Sequence, residues 1–225
     1  MKKKCPNCHL INYSHTVECV RCRCDLIEIS TLSTSSGASA PLGRRLFRRA
    51  LVFVVISITT VCGFYLSLLV TSKSLDYNQR RTVEKAVAVL EAKGFSDEVF
   101  LLRHFTSFRS NDNWLNASTR TETAYAATNY PFEVMTLYPE FFDHSTDDTE
   151  RAAILLHEAR HLQGKGEEEA YTFVWENRKR LGWTEETHGN TQIWKSVKKQ
   201  TMEYAPKLFI CDFIKSRDCT ESDRF

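Results

Sequence analysis

Residues 146–169 read TDDTERAAILLHEARHLQGKGEEE, and the fold of the C-terminal half turns on how this stretch divides. Asp147 or Thr146 can cap a helix, Ala153, Ile154, Leu155 and Leu156 give it an apolar body, and Gly164 ends it just after Gln163. On that helix His157 and His161 stand at i and i+4, so both imidazoles leave one face a turn apart and can hold one metal ion. Glu158 follows the first histidine directly, the position from which a carboxylate takes a proton from water polarised by such an ion. Two histidines and a glutamate set into an apolar helix are expensive to bury without a role.

Two protein ligands are too few for catalytic zinc, which takes three and leaves a fourth place open. Downstream, Gly164-Lys165-Gly166 predicts a chain reversal, and Glu167, Glu168 and Glu169 open a second helix running through Tyr171, Val174 and Trp175 to Leu181-Gly182. One of these glutamates is the expected third ligand. The others need no metal to explain them, because acidic residues favour a helix N-terminus in any case.

Working outward, residues 74–225 are enough for one domain with a sizeable core. Val83, Val87 and Leu90 recur at helical spacing before Gly94, whereas residues 99–105 and 133–137 read as short β-prone runs, the second leading into Tyr138-Pro139-Glu140-Phe141-Phe142. The expected class is α+β with helices dominating. Cys211 and Cys219 can close a small disulfide loop if the domain lies outside the cytoplasm. The Asn116-Ala117-Ser118 sequon carries little weight.

Residues 51–70, LVFVVISITTVCGFYLSLLV, hold no charge and no proline over twenty positions. As a helix this run is ~30 Å long, the thickness of a bilayer's hydrocarbon core, so a transmembrane helix is predicted over 50–71. Cys62 is then a small apolar residue of the span. Arg44, Arg45, Arg48 and Arg49 precede the run and Lys73 follows it, which places the N-terminus in the cytoplasm and the C-terminal domain outside it. With about fifty residues ahead of the run, a cleaved signal peptide is not expected.

Five of the eight cysteines lie within the first 24 residues. Cys5-Pro6-Asn7-Cys8 and Cys19-Val20-Arg21-Cys22 are paired C-x2-C knuckles, and four thiolates complete the tetrahedral shell of structural zinc; His9 and Cys24 stand as spare donors. Residues 1–28 are therefore expected to form a metal-held module, joined to the span by a Ser/Thr/Gly-rich linker over 29–49. The formal net charge of +2 asks for no nucleic-acid partner. Lys2, Lys3 and Lys4 are a local exception, but such a tail beside a membrane meets anionic lipid more often.

The knuckles CPNC and CVRC, closed by Cys24-Asp25-Leu26, resemble the short zinc ribbons at the N-termini of many prokaryotic membrane proteins, over residues 5–26. That resemblance implies a small ion-stabilised module without catalysis, whose task is either to dock a cytoplasmic protein or to touch nucleic acid. The run His157-Glu158-Ala159-Arg160-His161 resembles the H-E-x-x-H zinc peptidases, especially the gluzincins, whose third ligand is a glutamate of a later helix in an E-x-x-A/S-D pattern. Glu167-Glu168-Glu169-Ala170-Tyr171 matches through Glu167 and Ala170, with Tyr171 in place of the aspartate that orients the first histidine. Glu167 also lies six residues after His161, where metzincins carry their third ligand, whereas the D-x-x-Y of aspzincins would match Glu168 and Tyr171. MTLYPEFF, residues 135–142, looks like the strand and loop ahead of the aspzincin zinc helix, and Thr201-Met202-Glu203-Tyr204 faintly resembles a metzincin Met-turn, although methionine in a helix is more often core packing.

These likenesses cover residues 134–182 and imply a zincin-like domain after a single transmembrane helix and a zinc ribbon. The implied zinc ligands are His157, His161 and Glu167, with Glu158 as general base and a polypeptide as substrate. Tyr171 ranks ahead of Arg160 and His188 as the donor to the oxyanion. The runner-up expectation is a non-catalytic interaction or sensor protein built on a metal-stabilised, degenerate peptidase fold.

Overall fold

The computed structural model describes residues 2–26, 42–118, 125–211 and 214–215. The chain divides into two units, 1–57 and 58–225, with the boundary inside one long helix.

In the first unit, β1 (Lys2–Lys4) and β2 (Ile11–Tyr13) pair antiparallel with Lys3 opposite Asn12. Cys5, Cys19 and Leu26 form its buried apolar cluster beside the buried Asn12, and a bridge between Glu18 and Asp25 closes the second knuckle. Helix α1 (Leu42–Thr71) is long and apolar enough to cross a membrane. Its side chains from Leu51 to Val61 are exposed, so no protein core accounts for their apolarity.

The second unit begins with α2 (Tyr77–Ala92), started by a capping box in which Asp76 and Gln79 satisfy each other's backbone N–H groups. Val83, Ala86, Val87 and Leu90 form its buried stripe, as the helical spacing predicts.

Helix α3 (Ser96–His104) corrects the β-prone reading of residues 99–105. Val99 and Leu102 are buried while Phe100 is exposed, a helical rather than alternating pattern. Asp97 and Glu98 in the first turn, with Arg103 and His104 in the last, complement the helix dipole. The strand comes later, as β3 (Ser107–Arg109), and is followed by α4 (Trp114–Ser118), β4 (Ala126–Asn129) and β5 (Val134–Leu137). The sheet order is β3-β5-β4, with β3 parallel and β4 antiparallel to the buried β5, so β4 is an edge strand.

A short α5 (Pro139–Asp143) leads to α6 (Asp148–Leu162) and α7 (Glu167–Leu181), then α8 (Glu185–His188), α9 (Gln192–Tyr204), a 3-10 turn at Pro206–Phe209, and the antiparallel pair β6 (Ile210–Cys211) and β7 (Ile214–Lys215). Helix α6 is central, buried through Ala152, Leu155, Leu156 and Ala159 and packed by α2, α3, α7 and β4. On the other side of α7, Trp183 and Trp194 meet edge to face at 4.7 Å between ring centres, and Trp175 lies 5.2 Å from Trp194. The helix-dominated α+β class is what the sequence pattern predicts.

The expected Cys211–Cys219 disulfide involves Cys219 and the Cys211 side chain, both outside the described residues, as is most of the 29–49 linker. The six described cysteines are free thiols. Asn116 is buried with its amide donating to Thr136 at 3.1 Å, so the sequon is turned inward.

Asp147 is the N-cap of α6, its carboxylate accepting from the backbone of Thr149 and Glu150 at 2.9 Å. Asp147→Ala is expected to lower stability by about 1 kcal/mol. Thermal unfolding of the solubilised chain should then show a midpoint about 2–4 °C lower.

Candidate metal centres

Helix α6 presents His157 and His161 half-buried on one face, their Nε2 atoms 3.0 Å apart. The chain then reverses at Gly164, whose φ of +73° is left-handed and whose missing Cβ would meet the Tyr130 ring at 3.4 Å. Lys165 donates its N–H back to the Arg160 carbonyl, and the Lys165 carbonyl thereby reaches Nδ1 of His161 at 2.8 Å. That bond fixes the His161 ring with Nε2 directed at the site. Gly166 caps α7, which places Glu167 in the first turn with Oε2 at 3.2 Å from His157 and Oε1 at 3.4 Å from His161. Glu168 instead meets Lys207, and Glu169 meets Lys165.

The donor atoms of His157, His161 and Glu167 all lie within 4.8 Å of one another, a group that could hold a metal ion. Nitrogen ligands about 2.0–2.1 Å from tetrahedral zinc stand about 3.3 Å apart, close to the separations seen. The buried Nδ1 of His157 has no hydrogen-bond partner among the described residues, and the Tyr171 ring lies against this imidazole at 4.3 Å. Among the described residues no carboxylate orients His157 through Nδ1, and the Tyr171 ring packs beside the imidazole.

Glu158 is only 6% exposed, and its Oε2 accepts from the Thr128 hydroxyl at 2.7 Å. Sequence reasoning missed Thr128, because nothing in the run Ala126–Asn129 marks which strand residue faces the histidines. An open cleft of about 850 Å³ is lined by His157, Glu158, His161 and Glu167 on one side, with Thr128 of β4 and Tyr204 of α9 among its other walls. Tyr204 stacks on Tyr171 at 5.3 Å and was likewise not anticipated.

Two of the three oxyanion candidates are turned away. Arg160 lies over the Phe173 ring at 4.2 Å and reaches Glu98 at 3.3 Å. His188 is buried between Thr187 and Asp147, at the opposite end of α6 and about 15 Å along the helix from His157. Tyr171 remains at the cleft. Met202 is 40% exposed, so it is neither core packing nor a floor beneath the site.

The electrostatics follow from two carboxylates beside two imidazoles. Burial opposes charging His161, but hydrogen bonding to Glu167, the Glu158 charge and the Lys165 carbonyl outweigh it and hold the pKa up at about 9. Accepting from His157 and then His161 holds the Glu167 carboxyl far below the usual carboxylate range. Burial first, then the charges of Glu167 and Glu158, push the Tyr171 phenol well above its ordinary value.

At the N-terminus, the Sγ atoms of Cys5, Cys8, Cys19 and Cys22 also lie within 4.8 Å of one another and could hold a metal ion. The two knuckles repeat one backbone design. His9 and Cys5 are bonded as Arg23 and Cys19 are, both His9 and Arg23 are left-handed, and the Cys5 and Cys19 N–H groups bond the carbonyls of Leu10 and Cys24. Cys24 thus occupies the place of Leu10 in the first knuckle, with its thiol 3.0 Å from Cys5 and 3.2 Å from Cys22. Thiols this close do not all ionise without a cation. The Cys8 N–H draws Cys5 down to about 5, while hydrogen bonding with Cys5 and Cys22 pushes Cys24 up to about 12.

Comparison of the chain with family models, curated proteins and solved structures gives no match.

The His161 proton competes with a metal for Nε2. Raised from 6.5, His161 stabilises the metal-free domain below pH 6.5 and loses that contribution as pH rises through about 9. Glu167, lowered from 4.5, contributes above pH 4.5 and loses its contribution as pH falls below that value. The gain in thermal midpoint on adding zinc, followed by tryptophan emission, is therefore expected to grow between about pH 6 and pH 9 and to shrink toward about pH 5.

Proposed function

We propose that this chain is a membrane-anchored zinc hydrolase acting on polypeptides, of zincin type, with a structural zinc ribbon at its N-terminus. The observation that carries the reading is the convergence of His157, His161 and Glu167, at 3.0–3.4 Å, beside the buried carboxylate of Glu158 in an open cleft. A polypeptide suits the cleft because β4, which lines it, is an edge strand that can take an extended chain by strand addition. Helix α1 is the anchor, and Cys5, Cys8, Cys19 and Cys22 are the ribbon's ligands.

Bound zinc supplies a Lewis acid that polarises the substrate carbonyl and makes water easier to deprotonate. Glu158 takes the proton from that water and hands it to the leaving amine. Thr128 restrains the carboxylate by occupying Oε2, which leaves Oε1 free to act. Tyr171 carries its phenol proton at neutral pH as any tyrosine does, and burial extends that range upward, so it serves as a donor for the oxyanion. Lys165 orients His161 through its carbonyl.

The second reading, a metal-stabilised domain without turnover, draws on the unpartnered Nδ1 of His157. The two separate on one variant. The purified chain is expected to hold about two zinc ions and to cleave a flexible protein such as casein, and Glu158→Gln should keep both ions while losing activity about 100-fold or more. Equal hydrolysis by the variant and the parent chain would overturn the assignment of Glu158. His157→Ala and Glu167→Ala should each lose one ion, whereas Glu168→Ala should lose none, as read by metal analysis.

A further inference from the structure

The exposed part of α1 that follows its last arginine, Arg49, is too short to cross a membrane alone. Residues 50–63 form about 21 Å of helix, against about 30 Å for a hydrocarbon core, so the apolar run must stay in lipid through residues 64–70. Yet there the helix is already engaged by the domain. Phe64 packs against Phe132 at 4.8 Å and Trp114 at 5.4 Å, Tyr65 meets the Ser107 hydroxyl at 3.0 Å, and Trp114 donates its indole N–H to Ser67 at 3.0 Å. Leu68 is fully buried, while Leu66 and Val70 on the other face are exposed. Domain residues therefore stand beside the last third of the span, at the depth where tryptophan and tyrosine belts sit.

The turn between β4 and β5 connects this collar to the metal site. Phe132 touches the span, and Tyr130, two residues earlier and 61% exposed, lines the cleft against Gly164. Trp114, 44% exposed, and Tyr130 are amphipathic rings, and the basic Lys73 and Arg109 stand just beyond the end of α1, where Arg109 bridges Ser74.

We propose that the domain is seated in the lipid headgroup layer on Trp114, Tyr130 and Phe132, so that the metal cleft opens at the membrane surface. The occupant of this aromatic collar is the bilayer that α1 crosses. A polypeptide reaching the cleft is then one held against the same membrane, such as the stem next to another protein's anchor. The inference rests on α1 being a span, and deepens the hydrolase reading without depending on turnover.

The full chain in phosphatidylcholine vesicles carrying nitroxide lipids tests the seat. Trp175, Trp183 and Trp194 are buried and give a constant background. Headgroup-level nitroxide should quench part of the emission in the parent chain, Trp114→Phe should lose that quenching, and Tyr130→Trp in the Trp114→Phe background should restore it. Nitroxide at the acyl-chain end should quench less. If the emission added by Tyr130→Trp is insensitive to the headgroup label, the cleft faces away from the membrane or a protein partner covers the collar, and the proposal is overturned. Resistance to alkaline carbonate extraction reports on the span separately, and the casein assay on hydrolysis, so the three readings can fail independently.

Discussion

The site depends on one reversal of the chain. After α6 has presented two imidazoles, the third donor has to arrive from the opposite direction within a few residues, and the left-handed Gly164 makes that possible. The same turn sends the Lys165 N–H back to Arg160 and so brings the Lys165 carbonyl to His161. A side chain at position 164 would be strained by the left-handed backbone, although its Cβ would only reach van der Waals contact with the Tyr130 ring. One glycine thus sets the spacing of the candidate donors and the orientation of His161, and forms part of the cleft wall.

The surroundings of this turn are rigid for reasons that have little to do with metal. Helix α6 is buried on most of its circumference, and α7 is held by a cluster of Trp175, Trp183, Trp194 and Phe209. Buried Glu150 ties the start of α6 to Thr146 and Thr191, and Asp147 ties it to His188. Of the three candidate histidines, His157 and His188 therefore have different duties. His157 faces the cleft, whereas His188 holds the far end of the helix that carries it.

Much of this was legible where local chemistry is decisive. The cap at Asp147, the i, i+4 histidines and the stop at Gly164 each rest on a short-range rule, and the first turn of α7 follows from three consecutive acids. What escaped depends on long-range packing. Residues 99–105 read as a strand because Val99, Phe100, Leu101 and Leu102 are contiguous and apolar, and only the pairing of Glu98 with Arg160 reveals which face of a helix they occupy. Thr128 reaches Glu158 across thirty positions, and Tyr204 reaches Tyr171 across thirty-three, with no periodicity to announce either contact. The preference for Glu167 over Glu168 came from resemblance alone, since the residues themselves left it open until the direction in which α7 leaves the turn is seen.

The two groups that could hold a metal ion sit at opposite ends of a physical range. The N-terminal module buries an apolar cluster of only Cys5, Cys19 and Leu26 among its described residues, so an ion held by its cysteines would supply most of its cohesion, and the repeated knuckle backbone directs amide N–H groups at sulfur to favour thiolate. The C-terminal domain owns a core of aromatic and aliphatic side chains, and a protonated His161 beside Glu167 can occupy the charge pattern that an ion would otherwise satisfy. Its fold does not require the metal in the way the ribbon's does. A centre freed from holding the fold can keep a position open toward a cleft, and that difference separates a structural ion from one placed to act.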